Sequence, residues 1–312
     1  MPVRVRVPAT SANLGPGFDV LGLALALHNE VDAEPADGVR VTIEGEGAGR
    51  LPEGPDNLVA RAVRLAHEAA GRPFPGVTLR CLNRIPPSRG LGSSAAAWVG
   101  GLAAGNALLG APLDRETLLA LAARAEGHPD NVAAALLGGL TVACRAGDRV
   151  VAVTLPVPPA LRWVVLVPEV EGSTAAARAA LPERYPRADA VFNLQRAALL
   201  LAALAAGRPE LLATAMEDRL HEPYRLGLFP WLAGAAAAAR TAGALACVLS
   251  GAGPSLLAVT RGPAEPVARA LEEALARAGV AGRARALDVD AAGTVVESAA
   301  RPTGAAAGTR RT

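Results

Sequence analysis

The chain opens on alternation. In "VRVRV" (3–7) apolar and charged residues trade places at period two, which predicts a half-buried strand. "PATSANLGPGFD" breaks the pattern with proline, glycine and asparagine, and "VLGLALALHNEVDAE" (20–34) resumes it as a long strand. "GVRVTIEG" (38–45) reads as the hairpin partner of that strand across "PADG". The period then changes. Leu58, Ala62, Leu65 and Ala69 share one helical face, with Asp56 placed to cap the helix and Gly71 to stop it. "GVTLRCLNRI" (76–85) is a further strand.

Beyond it the pattern predicts helices over 93–109, 114–125 and 130–137, with Asp114 capping the second. "GGLTVACRAGDRVVAVTL" (138–155) reads as a hairpin turning at "AGD". The prolines of "PVPP" (156–159) mark a domain boundary, giving units 1–155 and 156–300. The second unit reads as a strand over 161–169, helices from Thr174 to about Arg240, strands over 244–251 and 255–260, a helix over 264–279 and a last strand near 283–289. "RPTGAAAGTRRT" (301–312) is expected to be disordered. Hairpins mixed with helices make the fold class α+β.

Composition sharpens this picture in four places. Apolar residues make up 51% of the chain and aromatics 3%, so the cores are aliphatic and the helices approach closely. A net charge of +2, without a basic stripe interleaved with aromatics, argues against nucleic acid as a partner. Cys81, Cys144 and Cys247 are scattered, which suits a reduced, cytoplasmic protein better than disulfides or zinc. No signal core and no uninterrupted apolar span of membrane length is read, so no membrane is expected. The fourth feature is an absence: all 31 basic residues are arginine. The lysine-dependent phosphate loops of Walker-type nucleotidases and of protein kinases are therefore excluded.

Candidate chemistry begins at "PPSRGLGSSAAA" (86–97). "GLGSSA" satisfies the dinucleotide pattern G-x-G-x-x-A, but the helix after it is followed by another helix, where that fold requires a strand. As a phosphate cradle the loop needs no lysine: glycines let backbone amides turn to an anion, and the next helix adds its leading N–H groups. The alternative is a plain glycine turn with a serine helix cap.

Two further segments, "PATSANLGPGFDVLGLAL" (8–25) and "LSGAGPSLLAV" (249–259), complete a set of three glycine-bearing motifs in fixed order. Together with "EGHPDNVAAALLGG" (126–139) and "DRLHEPYR" (218–225), they make the chain resemble the GHMP kinases, and within them the homoserine kinase family, from about Pro2 to Asp288. That resemblance implies a two-domain fold: an N-terminal ATP-binding domain like domain 2 of ribosomal protein S5, and a ferredoxin-like C-terminal domain. It implies transfer of phosphate from ATP to the side-chain hydroxyl of L-homoserine, with Mg²⁺, and a homodimer of the kind frequent in the family.

The resemblance also assigns residues. Pro86, Pro87, Ser88, Arg89, Gly90, Leu91, Gly92, Ser93, Ser94, Ala95 and Ala96 surround the triphosphate, with the Arg89 side chain read as pointing to solvent. Ser94 and Glu126 hold Mg²⁺, a cation satisfied by few protein oxygens; Glu126 otherwise reads as a solvated helix end. Asn57 falls near the adenine, or caps its helix. Gly251 and Gly253 bring a third loop near both substrates. Arg178 and Arg225 match the positions that take the substrate carboxylate, in the two-pronged manner of guanidinium groups. Asn13 and Asp19 match those for its ammonium and polar groups, and His128 completes the set. Asn131 orients the hydroxyl where sister enzymes carry an aspartate, so no general base is expected; Asp130 is the competing base. The remaining histidines, His28, His67 and His221, are given no role. Alternatives carried forward are a GHMP-type kinase for mevalonate, a sugar or shikimate, an inactive ATP-binding regulator, and a dinucleotide oxidoreductase.

Overall fold

Val3, Val5 and Val7 turn inward while Arg4 and Arg6 face solvent, so the opening alternation forms strand β1 (Val3–Asn13). The computed structural model describes residues 2–298, and the expected disordered tail lies outside them. β1 does not stop at Pro8. It runs on to Asn13 through a register shift between Pro8 and Ala9, buried throughout, and pairs antiparallel with β2 (Gly17–Pro35). The motif read as a break is thus the end of one buried strand and the tight turn into the next.

The expected hairpin of β2 with β3 (Gly38–Gly45) does not form. β3 pairs in parallel with β4 (Gly76–Asn83), and β4 occupies the edge of β2 from Glu30 to Pro35. Parallel strands need a crossover, which helix α1 (Leu58–Ala69) provides. Asn57, not Asp56, caps α1 by accepting from the Val59 amide at 2.8 Å. Helices α2 (Ser93–Leu108), α3 (Arg115–Glu126) and α4 (Asp130–Leu137) follow, with α3 capped by Asp114 as expected. α2 lies close on α1: a methyl on Gly101 would sit 2.6 Å from Ala62 Cβ, and one on Gly105 2.9 Å from Ala66 Cβ. Strands β5 (Leu140–Ala146) and β6 (Arg149–Leu155) form the expected hairpin, joined to β2.

After the proline-rich connection, β7 (Arg162–Pro168) starts a second sheet. The helical region is cut into α5 (Thr174–Ala179), α6 (Arg187–Ala205), α7 (Leu212–Ala215), α8 (Glu222–Arg225) and α9 (Trp231–Thr241). With β8 (Ala246–Leu249), β9 (Leu256–Thr260), α10 (Ala264–Arg277) and β10 (Gly282–Leu287), the sheet takes the antiparallel order β10-β7-β9-β8. Val267, Leu271 and Leu275 of α10 pack into its core. The chain then returns: β11 (Val295–Ser298), which no sequence pattern announced, pairs with β1 in the first sheet.

α6 is the described helix that bears on the membrane expectation. By length and composition it is apolar enough to cross a membrane, although Arg187, Asp189, Asn193 and Arg196 interrupt its apolar run. Buried Asn193 donates to Asp218 at 2.7 Å, and Arg196 pairs with Glu217 at 3.0 Å.

Candidate active site

A cleft of about 470 Å³ is bounded by the loop before α2, the β1–β2 turn, the α3–α4 connection, and residues of α5, α8 and the β8–β9 turn. All the residues expected at the site line it except Pro86, Leu91, Ala95 and Gly253. Leu91 and Ala95 point into the core, at 1% and 0% exposure, and anchor the loop rather than face a ligand. Pro86 borders a smaller groove behind the loop, and Gly253 packs against Leu249 and Phe229.

Gly92 stands immediately before α2, in the N-cap position. It adopts φ +67° and no side chain caps the helix, so the serine-cap reading fails and the leading amides of α2 stay unpaired by side chains. A methyl at Gly92 would run into Thr10 Oγ1 and lie 3.1 Å from Asn131 Oδ1. Gly90, at φ +77°, lies so close to Ser250 and Gly253 that only backbone fits. The loop is held from behind: Thr10 N donates to Leu91 O at 3.1 Å, and the Ser250 hydroxyl lies 2.7 Å from Gly90 O. Arg89 does not point to solvent. Its guanidinium donates to Pro168 O at 2.9 Å, Glu169 O at 2.6 Å and Pro87 O at 3.1 Å, tying the loop to the end of β7.

Beside that leading end, Ser94 Oγ donates to Glu126 Oε1 at 2.5 Å. The Glu126 side chain is only 10% exposed, which replaces the solvated-helix-end reading. Burial lifts its carboxyl above the ordinary range, against the pull of Ser94 and of nearby His128. Two hard oxygens, adjacent and turned to one cleft, are the donor set a magnesium ion takes. Asn57 spends both ends of its amide on backbone, accepting from Val59 N and donating to Pro52 O at 2.8 Å. Its place in the cleft wall is that of a helix cap.

At the other end, Asp19 and Arg178 form a two-pronged pair at 2.7 and 3.1 Å. Asn13 fixes the turn that presents Asp19: it accepts from Asp19 N at 3.1 Å and donates to Gly251 O at 3.0 Å. Arg225 is 2% exposed and donates to Gly251 O at 3.0 Å and Ala177 O at 3.3 Å. Burial, then the like charge of Arg178, lowers its affinity for its proton. The Phe18 ring lies 5.6 Å from the Arg178 guanidinium and 5.3 Å from that of Arg225.

Between the two ends sit His128, Asp130 and Asn131. Asp130 Oδ1 is 2.7 Å from His128 Nδ1 and accepts from Asn131 N at 2.6 Å. Burial pulls the His128 imidazole down, but the hydrogen bond and charge of Asp130, with Glu126, outweigh it and raise it above its ordinary value. Donor atoms of Asp19, His128 and Asp130 lie within 4.8 Å of one another, a grouping not expected from the sequence. Each already has a protein partner.

Sequence reasoning passed over Thr10, Ser250 and His221. Thr10 and His221 stand inside motifs that were quoted, but nothing in their local pattern shows that their side chains reach Asn131 and Arg225.

Comparison with known proteins identifies the family. Residues 57–139 match the family model of the GHMP kinases N terminal domain, and residues 200–277 that of the GHMP kinases C terminal domain. The chain is 49% identical over 276 residues to the homoserine kinase of Moorella thermoacetica, covering 88% of this chain and 93% of that one. It is 47% identical over 300 residues to that of Deinococcus radiodurans, covering 96% and 98%. The crystal structure of homoserine kinase from Cytophaga hutchinsonii superposes with a TM-score of 0.87 at 33% identity, covering 95% of this chain and 97% of that one. Identities near one half over almost the whole chain, with both domain models matched, settle the family: the chain belongs to the homoserine kinases of the GHMP kinase superfamily.

Proposed function

We propose that this cleft transfers the γ-phosphoryl group of ATP to the side-chain hydroxyl of L-homoserine, giving O-phospho-L-homoserine and ADP. One observation carries the reading: the leading end of α2 and the guanidinium groups of Arg178 and Arg225 open onto one cleft, with Asn131 also in its wall.

Pro87–Ser94 cradles the triphosphate with backbone amides and the positive end of α2. Ser94 and Glu126 would hold Mg²⁺, which supplies charge neutralisation on the phosphates. Arg225 takes the homoserine carboxylate, shared with Arg178, whose Asp19 partner faces the ammonium. Asn131 orients the hydroxyl. That oxygen forms a bond to the γ-phosphorus while the bond to the bridging β–γ oxygen breaks, and ADP carries away the electron pair. The hydroxyl proton passes to a phosphate oxygen or to solvent. Asp130 Oδ1 is committed to His128 and the Asn131 amide, which supports a positioning role for this residue. Such a transfer depends on positioning and charge more than on covalent help from the protein.

The same reading makes the enzyme cytoplasmic, where Cys81, Cys144 and Cys247 remain thiols, and dimeric, as frequent in the family. Purified protein tested for ADP release with L-homoserine, mevalonate, a hexose and shikimate decides the substrate. Homoserine should turn over fastest; a faster rival would refute the assignment.

A further inference from the structure

His221 is fully buried, and both of its ring nitrogens are engaged. Nε2 lies 2.7 Å from the carbonyl oxygen of Gly15, and Nδ1 lies 3.1 Å from Arg225 Nη1. These partners leave one arrangement. A carbonyl only accepts, so Nε2 carries the hydrogen; a guanidinium only donates, so Nδ1 must offer its lone pair. An imidazolium would set N–H against N–H at Arg225. The ring also stacks on Phe18, with centroids 5.3 Å apart, and the Arg225 guanidinium lies over the same Phe18. Burial lowers the imidazole below its ordinary value, opposed by Asp218 and then reinforced by Arg225, which agrees with the neutral form.

We propose that His221, as the neutral Nε2–H tautomer, is the positioning residue that aims Arg225 at the substrate carboxylate and so helps the site select an α-amino acid over a plain amino alcohol. The geometry behind it is a chain from the β1–β2 turn to the cleft. Gly15 O fixes the ring, the ring's lone pair and Gly251 O together hold Arg225 Nη1, and Ala177 O holds Nε, which leaves Nη2 to meet a carboxylate. Glycine at 15 is required for this approach: its φ is +82°, and a side chain there would collide with the Met216 carbonyl. The inference rests on Arg225 being the carboxylate-binding residue.

The test compares kcat/KM for L-homoserine with that for 3-aminopropan-1-ol, which keeps the amine and hydroxyl and lacks the carboxylate. Asparagine carries its amide where Nδ1 stands and can accept from Arg225; glutamine carries its amide at the reach of Nε2 and restores only the Gly15 bond. His221→Gln should lower the homoserine preference roughly tenfold, through KM for homoserine with KM for ATP unchanged. His221→Asn should keep most of it. Equal losses in both variants, or no loss in His221→Gln, would overturn the proposal. Arg225→Gln separates the two failures: if it leaves the preference intact, the carboxylate reading itself falls, whereas if it abolishes the preference and His221→Gln does not, only the role of His221 falls. Nitrogen chemical shifts of the wild-type imidazoles serve even if a variant does not fold. Nδ1 of His221 should be unprotonated near neutral pH, and a protonated Nδ1 would contradict the proposal.

Discussion

Thr10 and Asn131 are bonded side chain to side chain beneath the phosphate loop: the fully buried Thr10 hydroxyl donates to Asn131 Oδ1 at 2.7 Å. A hydroxyl alone would accept either end of an amide, but Asp130 settles the orientation. Its Oδ1 lies 3.4 Å from Asn131 Nδ2, and an amide turned the other way would set oxygen against that carboxylate. The carbonyl end of Asn131 is thus spent on Thr10, leaving its NH₂ end to meet the substrate hydroxyl. Thr10→Val, which keeps the shape and removes the donor, should lower kcat by roughly tenfold, about 1.4 kcal/mol. Thr10→Ser should restore most of it, with KM for ATP little changed in both.

The absence of a base is tested by a pair of variants. Asn131→Ala should cut turnover sharply, because the hydroxyl loses its guide. Asp130→Asn should be the milder, since its partners are a histidine and backbone that an amide oxygen still satisfies. A collapse confined to Asp130→Asn would make Asp130 the base.

Glu126 makes metal binding depend on pH. Its carboxyl sits above the ordinary range because of burial. As pH falls through that raised value the group gains a proton and loses its hold on a cation, so the Mg²⁺ requirement should rise at milder acidity than for a solvated carboxylate. Glu126→Gln should raise the Mg²⁺ concentration for half-maximal activity at least roughly tenfold and flatten its pH dependence. Magnesium titrations at several pH values measure both.

Glu222 predicts a stability effect of its own. The residue is partly exposed, yet its carboxyl turns inward onto the Leu249 amide at 2.7 Å, and burial pushes it up to about 8. Unfolding returns it to its ordinary value of 4.5, so between those values the folded state holds the extra proton. Stability from this group is therefore present in acid and declines as pH rises from about 4.5 to about 8. Glu222→Gln should remove that decline, read as a smaller fall in Tm between pH 5 and pH 8 than in the wild type.

Much of this was legible from residue order. The alternation of Val3–Val7, the cap at Asp114 and the β5–β6 hairpin follow local rules, and local rules sufficed. The pairing of β3 did not follow them, because the choice between β2 and β4 depends on which edge remains open once the long strand is placed. β11 was invisible for a related reason: four residues carry too little pattern, and their partner lies at the other end of the chain. The site divides in the same way. Gly90, Gly92, Ser94 and Glu126 announce themselves by motif, whereas the Thr10–Asn131 and His221–Arg225 bonds join residues whose meeting only the folded chain arranges. Arg89 shows the converse: a cation in a phosphate loop whose hydrogen bonds go to the carbonyls of Pro87, Pro168 and Glu169 and whose charge meets Glu171 at 3.3 Å.

The most direct measurement is a crystal structure of the protein with L-homoserine and a non-hydrolysable ATP analogue. The phosphates should rest on the amides of Gly90–Ser94, the homoserine carboxylate on Arg225, and the hydroxyl oxygen within hydrogen-bonding reach of Asn131 Nδ2. A triphosphate bound away from the start of α2, or homoserine reversed with its hydroxyl at Arg225, would contradict the account.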